Sequence, residues 1–197
     1  MRLAEVILLV SMLTMSGVFS KMALICTWLD GIVKVYEAFP SSGEEINAVR
    51  RELLSLKKAG LLESHKEGNK IMYSINKQCP ILWELRSMFF KESDIGKLLY
   101  ETFLPLSGVK VVIVTETFLK NKYLDSTDID LLFLGDMKIR EVSSAVSSVE
   151  KELGRSIRYT VMKVEDFEFG KKKRDPILMN ALMKDKIILI GKDSDLL

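Results

Sequence analysis

Histidine and cysteine are almost missing from this 197-residue chain: His65 stands alone, and the two cysteines, Cys26 and Cys79, lie far apart. One histidine cannot anchor a histidine-based metal centre. The cysteines have neither metal-ligand spacing nor the density of a disulfide framework, which fits a reducing, cytoplasmic setting. An excess of one charge is missing too. Twenty-nine Lys and Arg against 27 Asp and Glu leave a formal +2, so any basic surface must be local. Only four prolines occur, Pro40, Pro80, Pro105 and Pro176, and each stands where a helix is expected to stop or start. There are no internal repeats and no low-complexity tract. What remains is 48% apolar and 28% charged, the composition of a folded globular protein.

The one extended apolar stretch, Val6 to Phe19, follows Arg2 and ends near the small residues Val18 and Ser20, in the manner of a short secretory signal. Glu5 beside it argues against that. Glu5 and Lys21 also bracket too few residues to cross a bilayer. Buried helices broken near Ser16-Gly17 are expected instead, with no membrane partner. Further helices are expected over Gly17 to Leu29 and Ile32 to Phe39, the second stopped at Pro40-Ser41-Ser42-Gly43.

The cleanest helical period follows. Ile46, Val49, Leu53, Leu56 and Leu61 form one stripe, with Asn47, Arg50, Arg51, Lys57 and Lys58 largely off it. Gly60 stands where a left-handed helix cap is expected. Leu61 to Ser64 and Ile71 to Ile75 then read as two short strands joined by Lys66-Glu67-Gly68-Asn69-Lys70. Helix, turn, helix and β-hairpin is the order of a winged helix-turn-helix. The segment from Ala48-Val49-Arg50-Arg51 through Ala59-Gly60-Leu61-Leu62-Glu63-Ser64 and the hairpin to Tyr73 resembles the archaeal and bacterial winged-helix regulators. The resemblance implies that Asn47, Arg50, Arg51, Lys57 and Lys58 face double-stranded DNA, with Lys66, Asn69 and Lys70 on the wing. Glu44, Glu45, Glu52, Glu63 and Glu67 blunt the field, and these charges are alternatively a solvated helix face.

Pro80 to Lys91 reads as another helix, with Ile81, Leu82, Leu85 and Phe89 apolar. Ser93 is a fitting N-cap for a helix through Phe103. The domain boundary is expected near Lys91-Glu92, giving domains 1–91 and 92–197. Beyond it, strands are expected at Val109 to Val114, Ile129 to Leu134, Ile157 to Val164 and Lys186 to Ile190. Ile139, Val142, Val146, Val149 and Leu153 mark an amphipathic helix, and Asp175-Pro176 opens another. The basic run Lys171-Lys172-Lys173-Arg174 is expected to be a solvated surface loop. Met15, Met22, Met72 and Met88 are expected as core filler. The fold class is therefore α+β, a winged helix followed by a small α/β domain with a mixed sheet.

Asp128 and Asp130 open the apolar run Ile129-Leu131-Leu132-Phe133-Leu134. Strand alternation would aim both carboxylates at one point, suited to a hard divalent cation such as Mg²⁺. Alternatively, Asp125-Ser126-Thr127-Asp128 is a polar turn before a strand.

The order strand, loop, Asp-Ile-Asp, helix, strand, running through Glu152-Leu153-Gly154-Arg155 and Val164-Glu165-Asp166-Phe167 to Ile188-Leu189-Ile190-Gly191-Lys192-Asp193, resembles the minimal nucleotidyltransferase domain of the polymerase β superfamily. The whole chain is similar to the prokaryotic family that joins a winged-helix regulator to such a domain. In active members a glycine-serine pair cradles a triphosphate, two aspartates hold Mg²⁺, and a third carboxylate completes the site. Here the glycine-serine position falls on Glu116-Thr117 and the third carboxylate on Arg158. A guanidinium there replaces the charge of a metal with a fixed one. The expectation is a DNA-binding, homodimeric transcriptional regulator whose nucleotidyltransferase-like domain is catalytically silent and senses a nucleotide or contacts a protein. In that case Asp128 and Asp130 pair with Arg158, Lys120 or Lys122, and no cofactor is needed. The alternative is an active Mg²⁺-dependent nucleotidyltransferase modifying a protein, with Thr117, Asp128 and Asp130 as nucleotide and metal residues.

Overall fold

A computed structural model describes residues 51, 53–68 and 70–196. The expected N-terminal helices lie outside these residues, as do Asn47, Arg50 and Asn69. The chain divides into two compact units, one ending at Arg86 and one beginning at Ser87. That division falls a little before the expected boundary and inside a helix, Leu82–Glu92.

In the first unit residues 53–58 are helical (α1). Gly60, at φ +78°, ends the helix. Its N–H donates to the Lys57 carbonyl at 3.0 Å, and that of Leu61 reaches back to Leu56 at 3.0 Å. This is the paired bonding of a Schellman cap, and only a residue without Cβ takes that conformation freely. The hairpin follows as β1 (Leu62–Glu67) and β2 (Lys70–Ile75), antiparallel from Leu62 opposite Ile75 to Glu67 opposite Lys70. Gly68 sits in its tight turn at φ +60°. Asn76 ties the hairpin to the cap: its Nδ2 donates to the Gly60 carbonyl at 2.8 Å, and its N–H to Leu61 at 2.9 Å. Leu53, Leu62, Met72 and Tyr73 are buried here. The expected core stripe through Leu61 is thus shifted by one residue to Leu62, because the strand begins after the cap and alternation then chooses the inward side chain.

Helix α2 (Leu82–Glu92) buries Leu85 and Phe90. Phe89, expected on the apolar face, is only half-buried, and Met88 is exposed rather than core. Ser93 caps α3 (Asp94–Phe103) as expected, its hydroxyl oxygen accepting from the Gly96 N–H at 3.1 Å.

The second unit is built on a four-stranded mixed sheet in the order β5-β4-β3-β6. Strand β3 (Val109–Thr115) runs antiparallel to both β4 (Leu131–Gly135) and β6 (Lys186–Ile190), and β4 runs parallel to β5 (Tyr159–Met162). Val111 to Thr115 and all of β4 are buried, as expected for central strands covered on both faces. On one face Val111, Ile113, Leu132 and Leu134 pack with Phe167 of α6 (Val164–Lys173) and with Leu178 and Ala181 of α7 (Pro176–Met183). On the other, Phe103 meets Phe133 edge to face with centroids 4.9 Å apart. The buried stripe Val142, Val146 and Val149 belongs to α5 (Ile139–Leu153), which neighbours α3.

Two expectations change. The strand expected over Ile157 to Val164 is confined to Tyr159–Met162, because Val164 already opens α6. The basic run is not a loop: Lys171, Lys172 and Lys173 form the last turn of α6 and Arg174 its left-handed cap. Cations at a helix C-terminus are favoured by the unpaired carbonyls there. Asp175 caps α7 by accepting from the Leu178 N–H at 3.0 Å, with Pro176 at the first helical position.

Candidate functional site

The Asp128–Asp130 segment is not a regular strand. The N–H groups of Asp130 and Leu131 both donate to the Arg158 carbonyl, at 2.7 and 3.1 Å. Two adjacent amides therefore share one acceptor, and the chain bends at Asp130 just before β4 begins. Ile129 accordingly packs in the same cluster as Leu132 and Leu134, which unbroken alternation would forbid. Thr115, at the end of β3, secures the bend, its hydroxyl donating to the carbonyls of Ile129 and Asp130.

Both carboxylates are buried, Asp128 at 2% and Asp130 at 0% exposure, but they do not share a donor. Asp128 Oδ1 accepts from Lys184 Nζ at 2.8 Å and Asn180 Nδ2 at 2.7 Å; Oδ2 accepts from the Leu124 and Asp125 N–H groups at 2.6 and 2.9 Å. Asn180 lies on α7 and Lys184 follows its last residue, so one helix end delivers both. Burial pushes the Asp128 carboxyl up. The Lys184 ammonium, the two amides and Asn180 outweigh it and hold the group well below the usual carboxylate range.

Asp130 Oδ2 accepts from the Tyr123 hydroxyl and from the Arg158 N–H, the latter at 2.8 Å. Asp130 Oδ1 is buried with no hydrogen-bond partner among the described residues. Burial, then the hydrogen bond to Asp130 and its charge, push the Tyr123 hydroxyl up from 10.0 to about 12, against the opposing pull of Arg155 and Arg158. The Arg158 guanidinium lies 4.2 Å from the centroid of the Tyr123 ring. Arg155 lies 4.3 Å from that of Phe118, and donates to the Phe118 carbonyl at 3.2 Å and to Asn121 Oδ1.

The expected ion-pair partners are therefore corrected. Lys184, 56 residues from Asp128 in sequence, is the cation on that carboxylate. Lys120 pairs with Glu116 at 2.6 Å. Arg158 serves Asp130 through its main chain and stacks its side chain on Tyr123. Glu116 and Thr117 stand in α4 (Glu116–Lys120), a short helix where a loop was expected, with Thr117 buried. A divalent cation on Asp128 would have to compete with donors that the chain itself supplies. Oδ1 already accepts an ammonium and a side-chain amide and Oδ2 two backbone N–H groups, and among the described residues no group of three or more His, Cys, Asp or Glu is placed to hold a metal.

Of the expected DNA-facing residues, Arg51, Lys57, Lys58 and Lys66 are exposed. Lys57 Nζ donates to Ser64 Oγ at 2.7 Å, and Lys70 opens β2 opposite Glu67. Among the described residues no helix is long and apolar enough to cross a membrane. Comparison of the chain with family models, curated proteins and solved structures gave no match.

Proposed function

We propose that the protein is a DNA-binding transcriptional regulator whose second unit is a catalytically silent, nucleotidyltransferase-like domain that senses a ligand or contacts a partner protein. The observation that carries the silent half is Asp128, whose two oxygens are occupied by four donors of the chain itself. A carboxylate so engaged cannot bridge a metal to a phosphate without first losing Lys184. The DNA-binding half is supported by the capped helix running into a tight hairpin, with Arg51, Lys57, Lys58 and Lys66 exposed along them. A homodimer on two half-sites would match the usual use of such a module.

Two measurements test this. Gel shifts with genomic DNA at increasing salt check the first half: phosphate contacts make affinity fall steeply with salt, and salt-independent or absent binding refutes it. Titration with Mg²⁺ and ATP checks the second. Tight metal-dependent nucleotide binding that Asp128→Asn abolishes, or transfer of labelled nucleotide to protein, would establish an active enzyme instead.

A further inference from the structure

Arg158 and Arg155 answer no carboxylate. Among the described residues neither has an acidic oxygen within 4.0 Å, whereas Lys120 and Lys184 both do. The acid nearest in the hydrogen-bond network, Asp130, engages the Tyr123 hydroxyl and a backbone N–H through Oδ2, and neither of its oxygens lies within 4.0 Å of a guanidinium nitrogen. Arg158 is exposed and lies on the face of Tyr123, a ring whose far end is fastened to a buried group. A guanidinium stacked in this way keeps its rim of N–H donors open and loses little freedom when it engages a planar or tetrahedral oxyanion. Arg155 is fixed by stacking on Phe118 and by donating to Phe118 and Asn121; only two of its five N–H groups are used in those bonds. Arg155 bonds Asn121 and Arg158 stacks on Tyr123, so both guanidiniums stand against one short segment of the chain.

We infer that Arg158, stacked on Tyr123, and Arg155 form a metal-independent site for the phosphate group of a small phosphomonoester. Two fixed positive charges match a group carrying −1.5 to −2 charge at neutral pH. Forked donors match its several oxygens. A nucleic-acid backbone fits less well, since tracking it takes an extended basic stripe and exposed Asp125 follows Tyr123 by only two residues in the chain. The inference deepens the sensing role proposed above and rests on it.

The test is phosphorus NMR titration of the full chain in EDTA, with inorganic phosphate and a nucleoside monophosphate as separate probes. Binding that Arg158→Gln weakens by about tenfold or more, that Arg158→Lys weakens partly, and that Lys172→Gln leaves unchanged, is the expected result. Equal affinity for both probes assigns recognition to the phosphate alone; tighter nucleotide binding adds a base or sugar contact. Absence of binding in EDTA, or binding unchanged in a folded Arg158→Gln variant, overturns the inference and leaves catalytic silence standing. Binding that demands Mg²⁺ and vanishes in Asp128→Asn overturns both. An oligonucleotide that displaces phosphate at far lower concentration transfers the site to nucleic acid and overturns the inference as stated.

Discussion

Replacing Asp128 by asparagine should destabilise the protein, and the sign of that effect separates a structural carboxylate from a catalytic one. Asparagine has nearly the same shape, but one of its two terminal atoms is a donor. Four donors converge on Asp128, two on each oxygen. In either orientation the new NH₂ meets two of them, Lys184 with Asn180 or the amides of Leu124 and Asp125. Hydrogen bonds to a charged group contribute about 1.5–3 kcal/mol each, so two lost bonds set a ceiling of about 3–6 kcal/mol. Lys184 is one-third exposed, and Leu124 and Asp125 lie on an exposed loop. Water recovers part of the loss, leaving about 2–4 kcal/mol. Urea unfolding followed by far-ultraviolet circular dichroism in EDTA measures it. Tryptophan emission is the wrong probe, since the two tryptophans, Trp28 and Trp83, precede Ser87. Amide exchange adds a local readout, because Leu124 and Asp125 should lose protection first. Carboxylates kept for a metal repel each other in its absence, and removing one then leaves stability unchanged or raises it. An unchanged or raised midpoint for Asp128→Asn would refute the structural assignment.

Acid should act through the same group. The Asp128 carboxyl is depressed below its ordinary 3.8, so its contribution is complete above that pH and is lost only as pH falls towards the folded value. Stability of Asp128→Asn measured from pH 6 downwards should therefore decline less steeply than that of the parent. At alkaline pH the sign reverses: Tyr123, raised to about 12, stabilises the fold fully below 10 and ceases to do so as pH rises through 12. Absorbance at 295 nm should show one of the five tyrosines ionising late, and Tyr123→Phe should remove that step. Gly96→Ala should cost about 3 kcal/mol, because a Cβ there would stand 1.9 Å from the Phe90 carbonyl oxygen; a thermal midpoint equal to the parent's would disprove that close approach.

The elements that sequence reveals are those whose signals are local. Ser93, Gly60 and Asp175-Pro176 act within a turn of where they stand, and each marks a boundary the structure keeps. The helix Ile139–Leu153 is written in its own period, and β3 in its run of β-branched residues. What escapes is set at a distance. The bend at Asp130 is held by two amides that share the carbonyl of Arg158, 28 positions away in the chain. Lys184 has no mark to distinguish it from any lysine after a helix. Its role follows only from the way α7 packs on the sheet and presents its end to Asp128. The short helix α4 has too few residues for a period, and the basic run looked like a loop because charge alone does not distinguish a solvated helix end from a turn.

The same geometry gives Asp128 a structural role that does not depend on a metal. A divalent ion seated about 4 Å from the Lys184 ammonium would be repelled by about 8 kcal/mol at an effective dielectric of 20. Binding therefore requires Lys184 to leave, and its departure would cost the buried Asp128 the ionic partner it has among the described residues. Removing the acid instead strands the ammonium, Asn180 and two amides, as argued for Asp128→Asn. Neither partner is dispensable alone. Lys184→Met should accordingly destabilise the second unit, and the double variant Lys184→Met with Asp128→Leu should recover part of the loss, since a buried pair replaced on both sides by apolar groups is often neutral. Equal losses that simply add in the double variant would show that lysine and aspartate act independently, and the ammonium could then no longer be taken as the cation that keeps this carboxylate charged.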